Sequence, residues 1–184
     1  MWELLVVVAV LVFGVSIYNG LVKLREQGDN AWADIDVQLK RRYDLIPNLV
    51  ETVKGYATHE RDTLDAVIQA RSRAMGATTP GEVQAAEASL GSALKSLFAL
   101  AESYPDLKAS GGFRDLQRSL AEIEEALGSS RRYYNAVIRD YNTRIHQIPS
   151  NIIARSFGFR EREFFEVQEG ERAVPRVDFG GAAG

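Results

Sequence analysis

Apolar or small side chains recur every three or four residues over most of this chain. From Leu24 they fall at 24, 28, 31, 35, 39 and 43, and then at 46, 50, 53 and 57. That spacing puts them on one face of a helix. A second stripe holds Val83, Ala86, Leu90, Ala93, Leu97, Leu100 and Tyr104. It starts behind Thr79-Pro80-Gly81-Glu82, where Thr79 suits the N-cap, Pro80 the first helical position and Glu82 the return bond of a capping box. Pro105 ends it. A third stripe holds Phe113, Leu116, Leu120, Ile123, Leu127, Tyr134, Val137, Tyr141, Ile145 and Ile148. Phe113, Leu120, Leu127, Tyr134, Tyr141 and Ile148 stand seven apart, which suits packing along neighbouring helices. Pro149 closes that stripe, and Ser150 is placed to cap a short helix over 151–156 before Gly158. Gly111-Gly112 reads as a loop. No strand pattern of useful length precedes the tail.

The N-terminal pattern differs. Leu4 to Val22 is an uncharged run of 19 residues, with Glu3 before it and Lys23 after. At about 1.5 Å per residue it spans roughly 28 Å, close to the hydrocarbon thickness of a bilayer. Trp2 and Tyr18 lie near its ends, where amphipathic rings prefer to sit. A cleaved signal peptide would carry a positive n-region and a small-residue cleavage site; Glu3 and Tyr18-Asn19-Gly20-Leu21 fit neither. An uncleaved membrane anchor over 1–22 is the expectation. Lys23, Arg25, Lys40, Arg41 and Arg42 all follow the run and no Lys or Arg precedes it, so the positive-inside rule puts the C-terminal body in the cytoplasm.

Pro47 is the ambiguous point. Ile46 before it is steered away from the α region by the proline and is β-branched. Reversal at Pro47 divides 22–44, 48–76, 80–104 and 113–147 into rods of 23, 29, 25 and 35 residues. Four such rods make an up-and-down four-helix bundle. The alternative is one long kinked helix over 22–76. Its membrane-near half would then leave Leu24, Trp32, Ile35 and Leu39 to be covered only by self-assembly. Reversal is the favoured expectation. The domain plan is therefore an anchor at 1–22, a helical bundle at 23–156 and an irregular C-terminal arm at 157–184. Phe157, Phe159, Phe164, Phe165, Val167, Val174, Val177 and Phe179 are interleaved with charges, and the tail is expected to be a partly extended arm packed on the bundle, with 180–184 flexible.

Composition narrows the function classes. The 22 Lys+Arg against 25 Asp+Glu give a net charge of −3, which argues against a dedicated nucleic-acid binder. Hydrophobic residues at 46% and charged ones at 26% are those of a folded protein. Cysteine is absent, which removes disulfides, thiolate metal sites and cysteine nucleophiles.

Residues 29–60, DNAWADIDVQLKRRYDLIPNLVETVKGYATHE, resemble a signature of the LemA family of bacterial membrane proteins. YNAVIRDYNTRIHQIPSNIIA at 134–154, with Phe157-Gly158-Phe159 after it, resembles a second, and YPDLKA at 104–109 a third. The likeness spans about 2–179. It implies a bacterial inner-membrane protein with a four-helix bundle. It implies no enzyme activity, because none is established for the family. Magnetosome-associated relatives imply membrane organisation as one role, by analogy.

Candidate chemistry is sparse. His59-Glu60 opens H-E-x-x-H, but Thr63 stands where the second His belongs. Tyr56 and Thr143 stand where a Glu-x-x-His pair would need Glu before His59 and His146. No metal or cofactor site and no catalytic set is expected. Glu124 and Glu125 point about 100° apart on a helix and do not face one another. No P-loop, Rossmann or G-x-S-x-G pattern occurs. Lys40, Arg41 and Arg42 are a basic run, read chiefly as a solvated face and secondarily as a lipid contact. Tyr134-Asn135 and Tyr141-Asn142 repeat seven apart; hydrogen bonding that fixes helix register is the favoured reading and a ligand cleft the other. Trp32 reads as a packing or interface anchor.

The expected function is a membrane-anchored scaffold or adaptor, not an enzyme. Its expected partners are the bilayer, an unidentified membrane or cytoplasmic protein, and further copies of the chain as a homo-oligomer. The alternative is a small-ligand sensor or enzyme with a polar cleft near Tyr134, Tyr141 and Asp34.

Overall fold

The structure is a computed structural model that describes residues 1–165. Every regular element among those residues is a helix: α1 (Trp2–Lys54), α2 (Arg61–Gly76), α3 (Pro80–Ala101), α4 (Pro105–Ala109), α5 (Gly111–His146) and α6 (Ser150–Ser156). The all-α expectation holds.

The expected reversal at Pro47 does not occur. Helix α1 passes through Pro47 and continues to Lys54, 53 residues in all. At about 1.5 Å per residue it is roughly 80 Å long. Proline removes the hydrogen bond to the carbonyl four residues back, here that of Tyr43. Arg71 from α2 supplies the missing donor, with Nε 2.7 Å from the Tyr43 oxygen. The Pro47 ring lies on the exposed face and displaces no core residue. The kinked 22–76 helix is not found either, because the chain turns back through 55–60. There the amides of Gly55 and Ala57 bond to Glu51 and Val53 as the helix ends.

Helices α2 and α3 form a hairpin closed by the expected capping box. The Thr79 hydroxyl accepts from the Glu82 amide at 3.3 Å. The Glu82 carboxylate accepts from the Thr79 amide at 3.1 Å and the Thr78 amide at 3.1 Å. These bonds hold the Glu82 carboxyl below its ordinary pKa. Helix α3 stops at Ala101, ahead of Pro105, which starts α4. Gly111 and Gly112 are not loop residues. They form the first turn of α5, capped by the Ser110 hydroxyl accepting from the Phe113 amide at 3.2 Å.

The long pair α1 and α5 carries the body. Ala31, Ile35, Leu39, Ile46, Leu49 and Val53 of α1 share a core with Phe113, Leu120, Leu127, Tyr134 and Ile138 of α5 and with Leu64, Val67, Leu90 and Leu97 of the hairpin. Ile35 is 0% exposed. Its stripe is therefore covered within one chain although α1 is continuous, and self-assembly is not needed to bury it. Helix α5 reaches far enough to do this because it is 36 residues long.

The boundary expected at 22 coincides with no break. Ile17 and Leu21 of the uncharged run pack on Tyr141, Ile145 and Ala154. Every residue from Met1 to Phe13 is exposed. Ile148, expected in the α5 stripe, lies beyond the helix end and is 83% exposed. Ser150 is the first residue of α6, and Pro149 takes the cap position. At the end of α6, Gly158 adopts a φ of +72°, a left-handed conformation open to glycine. The Phe159 amide bonds back to the Ala154 carbonyl at 2.9 Å, and the chain returns along α5. The tail residues 166–184, including the expected flexible 180–184, lie outside the described residues.

Candidate functional site

Two clusters bring together side chains with chemistry. The first is the row of Tyr-Asn pairs on α5. Their polar groups do not bind another helix; they hold the backbone of residues 160–165. The Asn142 amide group donates to the Arg162 carbonyl at 2.9 Å and accepts from the Arg162 amide at 3.0 Å. Asn135 does the same with Phe165, at 2.6 and 2.8 Å. The Tyr141 hydroxyl donates to the Arg160 carbonyl and the Tyr134 hydroxyl to the Glu163 carbonyl, both at 2.9 Å.

The spacing explains the repeat. Seven residues of helix rise about 10.5 Å, and three residues of extended chain about 10 Å. Each Tyr-Asn step of seven on α5 therefore meets a step of three on an arm running antiparallel to it. Each asparagine acts as a short edge of sheet, offering one donor and one acceptor to one arm residue. Helix α1 closes the other side. Trp32 packs on the Tyr134 ring at 5.5 Å and on Phe165 at 6.1 Å. Arg162 passes between the helices to bond Asp29 at 2.6 Å. A Cβ on Gly28 would sit 3.1 Å from the Arg162 guanidinium and 3.1 Å from Ile138, so glycine leaves room for that crossing. Burial pushes the Tyr134 and Tyr141 phenols above their ordinary pKa.

The space expected as a polar cleft near Tyr134 and Tyr141 is thus filled by the chain's own arm. Asp34 is exposed and takes no part in it. Asp29, which the sequence did not single out, is the α1 carboxylate that meets the arm.

The second cluster centres on Glu87, 4% exposed on α3. One of its oxygens accepts from Arg42 at 2.7 Å and the other from the Tyr43 hydroxyl at 2.8 Å. Arg42 also meets Glu124 of α5 at 2.8 Å, and Arg131 stands 3.6 Å from Glu87. One carboxylate therefore ties α1, α3 and α5 together. Burial and the Glu87 charge push the Tyr43 phenol strongly upward. Arg42 does not belong to a solvated face, as the basic run had suggested; only Lys40 and Arg41 are exposed. Glu87 was legible in principle, because it sits in register with Val83, Leu90, Leu94 and Leu97 on the buried side of α3. An open cleft of about 1060 Å³ runs beside this junction, lined by Lys95, Ser92, Arg131, Glu124 and Phe164. Among the described residues no three His, Asp or Glu side chains gather as metal ligands. The Glu87 carboxylate is enclosed by its cationic and phenolic donors, an arrangement that fastens helices.

A model of the LemA family matches residues 31–179. Protein LemA of Metamycoplasma hominis is 27% identical over 158 residues, covering 84% of this chain and 71% of that protein. Magnetosome protein MamQ 2 of Paramagnetospirillum magneticum is 25% identical over 175 residues, covering 81% of this chain and 64% of its own length. Magnetosome protein MamQ of Magnetospirillum gryphiswaldense is 24% identical over 174 residues, with 80% and 64% covered. The chain thus spans about two-thirds of the length of these relatives.

Proposed function

The chain belongs to the LemA family, and from that premise we propose that it is a membrane-anchored helical scaffold or adaptor rather than an enzyme. One observation carries the reading. The exposed apolar stretch and the core-forming stripe are parts of one uninterrupted helix, Trp2–Lys54. That helix is the only one among the described residues long and apolar enough to cross a membrane. No flexible linker joins anchor to body, so the body is held at a set height and orientation over the bilayer. A tethered catalyst needs no such stiffness, whereas a platform that positions partners does. Relatives named as magnetosome proteins support an organising role. The charged groups that the fold gathers are engaged with one another, which supports a fastening role over a catalytic one.

The body faces the cytoplasm of a bacterial inner membrane, following Lys23, Arg25 and the cations beyond them. Its partners are a membrane or cytoplasmic protein, or further copies of the chain.

Deleting residues 2–13 tests the anchor. This cut spares Ile17 and Leu21, which the body needs. The shortened chain should leave carbonate-washed membranes and stay helical; retention in the washed membranes overturns the single anchor. Single cysteines at 76–80, in a chain that has none of its own, test the side. Labelling of intact spheroplasts by an impermeant maleimide refutes a cytoplasmic body. A photo-crosslinker at exposed Ile68 tests the scaffold: discrete adducts in cells are expected, and their absence at this and other exposed α2 and α3 positions refutes it.

A further inference from the structure

The uncharged run is nineteen residues long, but only its first part is free of the body. Helix α6 is locked against the rest. Ile153 approaches Gly14 closely enough that a Cβ at that position would lie 3.9 Å from its Cδ1. Ala154 packs with Ile17 and Leu21. The Tyr18 ring meets Phe157 at 4.8 Å and Phe159 at 5.7 Å. α6 therefore stands level with residues 14–18 of α1. If the run enters the hydrocarbon at Val22, that level is roughly 6–12 Å below the entry point, at about 1.5 Å per residue. A bilayer core of about 30 Å takes nearly the whole uncharged run between Glu3 and Lys23, whose 19 residues span roughly 28 Å. The part of that run from Gly14 onward is the part that α6 flanks.

Large apolar side chains are exposed at that level. Ile148 is 83%, Ile152 62% and Phe157 63% exposed, beside Val15 at 59%. Arg144 and Arg155 are exposed at the same end, and exposed His146 pairs with Glu161 at 2.7 Å. Large side chains turned outward beside an anchor, with cations close by, are the make-up of an interfacial segment, which lies about 5–10 Å into the headgroup and acyl boundary.

We infer that the α5–α6 turn and α6 form a second membrane contact, with Ile148, Ile152 and Phe157 inserted into the interfacial layer of the bilayer that α1 crosses. The inference rests on the anchor reading above. With two points of contact the body cannot swivel about α1, and the arm that begins at Phe157 starts at the lipid surface.

The test uses the full chain in vesicles of phosphatidylcholine and phosphatidylglycerol. Val8→Cys, Ile152→Cys and Asp65→Cys are spin-labelled one at a time, and collision with oxygen is compared with collision with a water-soluble nickel complex. The inference expects the label at 152 to favour oxygen, as that at 8 does, while the label at 65 favours nickel. A label at 152 as open to nickel as that at 65 overturns it and leaves the anchor standing. Shielding from both agents at 152 assigns the patch to a protein contact and also overturns it. A label at 8 that favours nickel removes the anchor reading and this inference together.

Discussion

Arg71 donates its Nε–H to the Tyr43 carbonyl at 2.7 Å, and Tyr43 is the residue whose carbonyl Pro47 leaves without a partner in the α1 ladder. The two are 28 residues apart in sequence. The bond closes the gap by which a proline ordinarily breaks a helix, and it lets the anchor and the core stripe share one rod. Arg71→Ala should lower stability by about 1–3 kcal/mol, the cost of an unpaired buried carbonyl. In a Pro47→Ala background the same change should cost much less, since the backbone N–H restored by that substitution can donate to Tyr43 itself. Urea unfolding of the four chains of this cycle in detergent measures the coupling; equal costs in both backgrounds reject it.

Ile35→Asp should destabilise the chain by several kcal/mol, because it puts an unpaired charge in a fully covered site. The loss should appear at any protein concentration, since Ile35 is buried by its own chain. Near-native melting accompanied by broken oligomers would return the stripe to an intermolecular role.

Glu87→Ala should cost about 3–5 kcal/mol, the range for stripping one partner from a buried ion pair. Arg42→Leu together with Glu87→Leu should recover much of that loss, because the buried Arg42–Glu87 pair is then removed whole. Thermal unfolding of the single and double variants decides. A double variant as unstable as Glu87→Ala shows that Arg42 does more than answer Glu87.

Asn135→Leu and Asn142→Leu should each loosen the arm by about 1–3 kcal/mol, since each strands one amide and one carbonyl of the arm. Trypsin should then cut after Arg160 and Arg162 faster than in the parent, with intact helicity by circular dichroism. Unchanged cleavage in the double variant would mean that Trp32 and Phe165 hold the arm without the asparagines.

Alkali should weaken the fold through Tyr43. Its folded pKa lies above the ordinary 10.0 because of burial and the Glu87 charge. The unfolded chain therefore loses this proton first. The contribution is whole below about pH 10 and is lost as pH rises beyond it toward the folded value. Tyr43→Phe should flatten the fall in unfolding free energy above about pH 10 while lowering the plateau slightly, as the bond to Glu87 is lost. A fall as steep as the parent's would assign it to other groups.

The chain's own local patterns determined much of this protein. Three helical stripes, the Thr79–Glu82 box and the uncharged N-terminal run could each be read from residues within a few turns of one another, because periodicity and capping act over that range. The family signatures were equally plain. Tertiary structure decided what depends on distant partners. Whether Pro47 ends a helix turned on Arg71, which lies in another element. Whether the Ile35 stripe needed a second chain turned on how far α5 reaches back along α1. Arg42 looked solvated beside Lys40 and Arg41 because its partner Glu87 is 45 residues away. The Tyr-Asn repeat was visible, but its target was a backbone segment, and backbone donors and acceptors leave no mark in a sequence. Only the match of seven helical residues to three extended ones, once both lay side by side, gave those side chains their role.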